Sequence, residues 1–159
     1  MGNFYQNLTV KGPNQAEIVP VLRRYGRSAF VSPTRDRLTA VYARRSEEAA
    51  SPEELAAVAT LLSEQFRCPA LAVAIYDDDV LFMGLFENGQ PIAQYNSAER
   101  KPVAANRLCQ AFEIPHARFR VWAILSLPHR VPYLFETSRH RHLVRALGLP
   151  EWAVGTGYR

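Results

Sequence analysis

Period-two and period-3.6 apolar patterns alternate along the first two thirds of this chain, in the order strand, helix, strand, strand, helix, strand. Few architectures accept that order. The most direct is an α+β layer of the ferredoxin-like kind, βαββαβ, with two helices packed on one face of an antiparallel sheet. Beyond residue 97 the sequence turns Arg-rich and helical, with almost no acids. We therefore expect a single domain over 1–159, in which a sheet half (1–97) carries a basic C-terminal helical extension (98–159) packed on it.

Phe4 to Lys11 alternates closely enough for a strand, and Gly12-Pro13 ends it. Asn14 can cap a helix whose stripe is Ile18, Val21, Leu22 and Tyr25. Pro20 falls within that helix; an interior proline removes a hydrogen bond at a cost of about 3 kcal/mol, so the helix should begin late or bend there. Ser28 to Ser32 and Leu38 to Ala43 read as an antiparallel hairpin around Pro33-Thr34-Arg35-Asp36. A polar loop over Arg44 to Ala50 leads into Ser51-Pro52-Glu53-Glu54, a capping-box start for a helix lined by Leu55, Val58, Ala59, Leu62 and Phe66. Three strands follow, Leu71 to Tyr76, Val80 to Phe86 and Pro91 to Tyr95, and the Asn88-Gly89 pair between the last two accepts the positive φ of a tight hairpin. The sheet thus gains an added β-hairpin.

In the basic third, Val103, Ala104, Leu108, Ala111 and Phe112 suggest a short helix. Residues 117–127 admit two readings: Phe119, Val121, Ala123 and Leu125 alternate as a strand, whereas Phe119, Trp122, Ala123 and Ser126 fit a helix, which Pro115 upstream favours. A final helix, capped by Thr137 or Ser138 and lined by Leu143, Val144 and Leu147, should end at Gly148 with Leu149 folded back on Val144 and Pro150 barring continuation. Two places are open to these helices: over the second face of the sheet, or beyond its edge with that face left for a partner.

Composition narrows the function classes. A hydrophobic share of 48% and a charged share of 21% belong to a folded globular chain. Cys68 and Cys109 are the only cysteines, and neither belongs to a C-x-x-C pair, so reduced thiols are expected. The N-terminus shows no export leader and Gln6 spoils a myristoylation motif; apolar runs such as Ala70 to Tyr76 are too short to span a bilayer. The expected location is the cytoplasm, with no membrane contact. Asn7-Leu8-Thr9 matches a glycosylation triplet, but within a strand pattern and without a leader it reads as chance. Residues 1–99 hold 9 Lys/Arg against 12 Asp/Glu, whereas residues 100–159 hold 10 against 3. The net charge of +4 is therefore a property of the C-terminal third.

Asp77-Asp78-Asp79 could offer oxygen ligands to a divalent cation, but Val80-Leu81-Phe82 follows where a calcium loop needs spaced ligands, and a solvated turn fits better. His116, His129, His140 and His142 all lie in the basic third; His140 and His142, two residues apart, point about 200° apart on a helix and could share a metal only on a strand, so exposed histidines on a basic helix face are expected. Cys109 reads as a core filler, Glu113 and Glu136 receive no role, and Gly155-Thr156-Gly157 has no helix after it to hold a phosphate. No catalytic residue, cofactor or metal is indicated. The arginines Arg100, Lys101 beside them, Arg107, Arg118, Arg120, Arg130, Arg139, Arg141 and Arg145, mixed with Phe119, Trp122, Tyr133 and Phe135, form the one pattern that points to a partner. Arg118, Arg120, Arg139, Arg141 and Arg145 are the candidate contacts. The first expected partner is an acidic protein surface, which makes the chain a non-enzymatic interaction module. Nucleic acid is the second, and a small-ligand enzyme with a pocket between the sheet and the C-terminal helices is the third.

The segment Arg139-His140-x-x-Leu143-Val144-x-Ala146-Leu147-Gly148-Leu149-Pro150-x-Trp152-Ala153-Val154-Gly155-x-Gly157-Tyr158 resembles the ending of a group of uncharacterised bacterial proteins. Asn7-Leu8-Thr9-Val10-Lys11-Gly12-Pro13 and the triple aspartate share in that resemblance, which covers most of the chain. It implies a bacterial cytosolic protein and attaches no activity.

Overall fold

The computed structural model describes residues 2–43, 52–99, 105–128 and 132–156. Six strands are found there: β1 (Tyr5–Lys11), β2 (Ala29–Val31), β3 (Leu38–Ala43), β4 (Ala70–Tyr76), β5 (Val80–Glu87) and β6 (Gln90–Asn96). They form one sheet in the order β2-β3-β1-β4-β5-β6, and every neighbouring pair is antiparallel. The helices are α1 (Gln15–Arg24), α2 (Pro52–Phe66), α3 (Ala105–Ala111), α4 (Arg118–Ser126) and α5 (Glu136–Ala146). The fold is mixed α+β. No described helix is long and apolar enough to cross a membrane.

Pleating sends alternate side chains to opposite faces, and here each face carries a buried core. Leu8, Val10, Val41, Ala70, Ala72 and Phe86 meet Ile18 and Leu22 of α1 and Leu55, Val58, Ala59 and Leu62 of α2. On the other face Tyr5, Leu71, Val73, Ile75, Leu81, Met83 and Leu85 pack against α3, α4, α5 and the chain that follows. The C-terminal helices therefore cover the second face rather than extending an edge. β4 shows why: its run Ala70 to Ile75 is apolar at every position, as a strand needs when it has no solvated side.

Local chemistry sets most element ends. Asn14 and Glu17 make a reciprocal capping box at α1. Pro20 sits inside that helix without delaying its start, on the exposed side, where the carbonyl it leaves unpaired can face water. Asn88 (φ 49°) and Gly89 (φ 75°) form the β5–β6 turn, and a side chain at Gly89 would press on Glu64 of α2. At the end of α5, Leu149 N–H donates to the Val144 carbonyl (2.9 Å) and Gly148 N–H to that of Arg145 (3.3 Å), with Gly148 at φ 65°. That is the expected Schellman ending.

Residues 117–127 resolve as a short 3₁₀ turn, Pro115–Ala117, running into α4. The start of α5 is a correction. Neither Thr137 nor Ser138 caps it: both are inside or beside its first turn, Phe135 stands at the cap position, and no side chain there accepts a hydrogen bond. The polar loop over 44–50, the cap Ser51, Val103, Ala104 and Gly157 lie outside the described residues.

Candidate interaction surface

Successive residues of a helix turn by about 100°, and on α4 this divides the side chains cleanly. Val121, Ile124 and Leu125 face the core. Phe119, Trp122, Ala123 and Ser126 share the outer side, and Arg118 and Arg120 stand on its two flanks. Phe119 is 73% and Trp122 55% exposed. The Arg118 guanidinium lies 4.9 Å from the Phe119 ring centroid, a cation–π distance. Between α3 and α4 a notch of about 280 Å³ is lined by Ala105, Asn106, Arg118, Phe119 and Trp122. The outer side of α4 thus has an aromatic centre between two cations.

The five candidate arginines separate. Arg118 and Arg120 flank the aromatic stripe. Arg139 is a correction: it is 0% exposed and presents nothing to a partner. Its Nε donates to Glu136 at 2.8 Å, with both side chains buried. Its remaining donors reach the carbonyls of Ile124 and Leu127 (2.8 Å each) and Pro128 (3.0 Å). Those carbonyls are left over where α4 ends, so Arg139 closes the C-terminus of one helix from the first turns of the next. Tyr133 lies over the guanidinium at 4.9 Å. Arg141 and Arg145 are exposed. Arg141, however, lines a hollow of about 600 Å³ whose lining also includes Asp77, Asp78 and Asp79. Arg100, Lys101, His129 and Arg130 lie outside the described residues.

The triple aspartate has a structural use that its local sequence does not announce. Asp78 is buried, and its carboxylate accepts from Asn3 N–H (3.2 Å), Asn3 Nδ2 (2.6 Å), Thr137 N–H (3.0 Å) and the Thr137 hydroxyl. Its carbonyl accepts from Glu136 N–H at 2.9 Å. The cap of α5 therefore comes from a turn 59 residues away. Burial pushes the Asp78 carboxyl up, but the hydrogen bonds from Thr137 and Asn3 outweigh it and hold the group below the ordinary carboxylate range. Among the described residues, no group of three His, Cys, Asp or Glu is arranged to hold a metal.

His140 corrects the expectation of exposed histidines: it is buried, because its face of α5 packs on the sheet, and its Nδ1 shares a 2.7 Å hydrogen bond with the Tyr5 hydroxyl. Burial lowers its pKa to about 3, so it is neutral near pH 7. His142 is exposed and pairs with Tyr133 at 3.0 Å, so the two histidines face opposite sides of α5. Cys68 and Cys109 are buried and unbridged; burial pushes the Cys68 thiol up to about 11, far from a reactive thiolate. Glu113 is exposed and paired with Lys11 at 2.6 Å.

A roomy apolar groove lies away from the C-terminal helices. It holds about 710 Å³ between the first turns of α2 and β4, β5 and β6. Ala72, Ala74 and Gly84 form its floor, and Tyr76, Phe82 and Phe86 its walls. Tyr76 and Phe82 meet edge to face at 5.6 Å. The chain matches no protein-family model, no curated protein and no solved structure.

Proposed function

We propose that this protein is a non-enzymatic interaction module that docks an acidic protein surface on the outer side of α4. The observation that carries the reading is the exposure of Phe119 and Trp122 on one stripe with Arg118 and Arg120 on its flanks. Large aromatics and arginine dominate binding energy at protein interfaces, an apolar centre inside a polar rim being the usual anatomy. Exposed apolar side chains on monomers are ordinarily scattered; two adjacent aromatics bracketed by cations are a patch. Arg141 and Arg145 remain peripheral contributors and Arg139 leaves the set.

We also read β1 to β4 with α1 and α2 as a ferredoxin-like unit, supported by the order β2-β3-β1-β4, with β5–β6 lengthening the sheet. The resemblance of its ending to bacterial proteins supports a cytoplasmic bacterial setting.

Affinity capture from lysate tests the function, run with and without nuclease and at two salt concentrations, on the wild type and on Arg118→Glu/Arg120→Glu. A stoichiometric protein that survives nuclease and is lost from the charge-reversed variant is the expected result. Equal recovery by the variant would remove α4 from the account. Recovery abolished by nuclease would move the surface to nucleic acid, whose binding falls steeply with salt.

The groove beside α2 favours a second reading, small-ligand binding. Its volume falls within the roughly 300–1,000 Å³ of ligand sites, and its walls are aromatic. Filling the floor with Ala74→Leu should abolish any ligand-induced rise in melting temperature while leaving capture through α4 intact.

A further inference from the structure

The notch beside Trp122 specifies more than a charged contact. We infer that the element α4 recognises is a short acidic peptide segment carrying one bulky apolar side chain, which seats in the notch between α3 and α4. The inference rests on reading α4 as the docking side. At about 280 Å³ the notch falls below the volumes that enclose a drug-sized molecule, yet it suits a single large side chain. Its lining is graded: Ala105 and the rings of Phe119 and Trp122 are apolar, while Asn106 and Arg118 add polar groups.

Charge complementarity fixes the rest of the segment. Along 105–128 the exposed cations are Arg107, Arg118 and Arg120, and the one acid, Glu113, is engaged by Lys11 of β1. Carboxylates on both sides of an apolar anchor would therefore meet arginines on both flanks of the stripe. Arginine's planar fork suits carboxylates well. Nucleic acid fits less well. The open aromatic part of the sheet, Tyr76 and Phe82 in the groove beside α2, lies away from α4, so no sheet surface for stacking bases adjoins this stripe. Among the described residues, the outer side of α4 itself carries two arginines, fewer than the roughly 6–10 phosphate contacts of a strong electrostatic binder.

Fluorescence anisotropy with three labelled probes tests this on the full chain: a short Asp/Glu peptide with a central phenylalanine, the same peptide with alanine there, and an oligothymidylate. The phenylalanine peptide should bind on the order of tenfold tighter than the alanine peptide. Trp122→Ala or Phe119→Ala, both at exposed positions and checked for an unchanged melting temperature, should close that gap. Arg118→Glu/Arg120→Glu should weaken both peptides. Equal binding of the two peptides by the wild type overturns the anchored-segment inference while an acid-binding surface stands. Binding of neither peptide takes the surface with it. Tighter binding of the oligothymidylate overturns the inference in favour of a nucleic-acid ligand.

Discussion

Arg139 shows how far an arginine's role is set by what surrounds it. With Glu136 it forms an ion pair sealed from water, and its other donors are spent on three carbonyls at the end of α4. Removing one partner of such a pair strands a buried charge, at a cost of about 3–5 kcal/mol. Arg139→Met should therefore lower stability by that order in urea unfolding. Glu136→Leu/Arg139→Met should recover part of the loss, because no charge is then stranded. If the double variant is as unstable as the single, the carbonyl bonds carry the site rather than the charge pair. His140, one residue on, makes stability depend on pH. Its folded pKa of about 3 lies below the ordinary 6.5, so between those values the unfolded chain binds a proton that the folded chain refuses. The contribution is full above pH 6.5 and is lost as pH falls towards 3, at about 1.4 kcal/mol per pH unit. Unfolding midpoints at pH 7 and pH 5 should differ accordingly, and His140→Asn should flatten the dependence.

At the scale of elements, α5 owes its start to Asp78. Helix amides left without partners favour an anion, and here the carboxylate comes from the β4–β5 turn. Asp78→Ala should cost on the order of 1–2 kcal/mol and speed hydrogen exchange at the first amides of α5. Asp78→Asn, which keeps an acceptor oxygen, should cost less; equal exchange in all three proteins would show that the cap is dispensable. Because the folded pKa of Asp78 is lowered, its contribution is present above the ordinary carboxylate range and fades as pH falls through the lowered value. This cap also marks where sequence reading stops. Signals confined to a few neighbouring residues were legible: the Asn14 and Glu17 box, the Asn88-Gly89 turn, and the Gly148 ending with Leu149 returned to Val144. Helix and strand order followed from periodicity for the same reason. The Asp78 to Thr137 contact joins residues 59 apart and left no local pattern, so Thr137 itself looked like the cap. The candidate surface suffered likewise. Arg118 and Arg139 are the same side chain in equally basic text, and only the packing of α5 beneath α4 decides which one water reaches.

The whole molecule is less divisible than its charge pattern suggests. A basic extension set on a finished sheet half would leave that half with its own closed core. Instead β4 and β5 turn an unbroken aliphatic row, Leu71, Val73, Ile75, Leu81, Met83 and Leu85, into the core cluster shared with α3, α4, α5 and the chain that follows. Towards α2 the same strands show Ala70, Ala72, Gly84 and Phe86, leaving the groove over part of that face. The side chains that fix α5 cross the same boundary. Asp78 and Tyr5 hold it at one end of the sheet, and at another place Asn7 donates to the carbonyls of Ala153 (2.7 Å) and Gly155 (3.0 Å) while the Tyr42 hydroxyl donates to that of Trp152 (2.6 Å). At roughly 25 cal/mol per Å² of apolar surface, uncovering a face of this size outweighs the usual 5–15 kcal/mol of net stability. A chain ending after Ser97 should therefore not form a stable monomer. It should precipitate or bind hydrophobic dye and lack a cooperative thermal transition, while the full chain unfolds in one step. A truncated chain that stays monomeric, with the near-UV circular dichroism and melting temperature of the full protein, would show that the sheet half closes its own core. The C-terminal third would then be free to move with its partner. The expected result makes the surface on α4 rigid instead, because the same helix that offers Phe119 and Trp122 outwards holds Val121, Ile124 and Leu125 in the core.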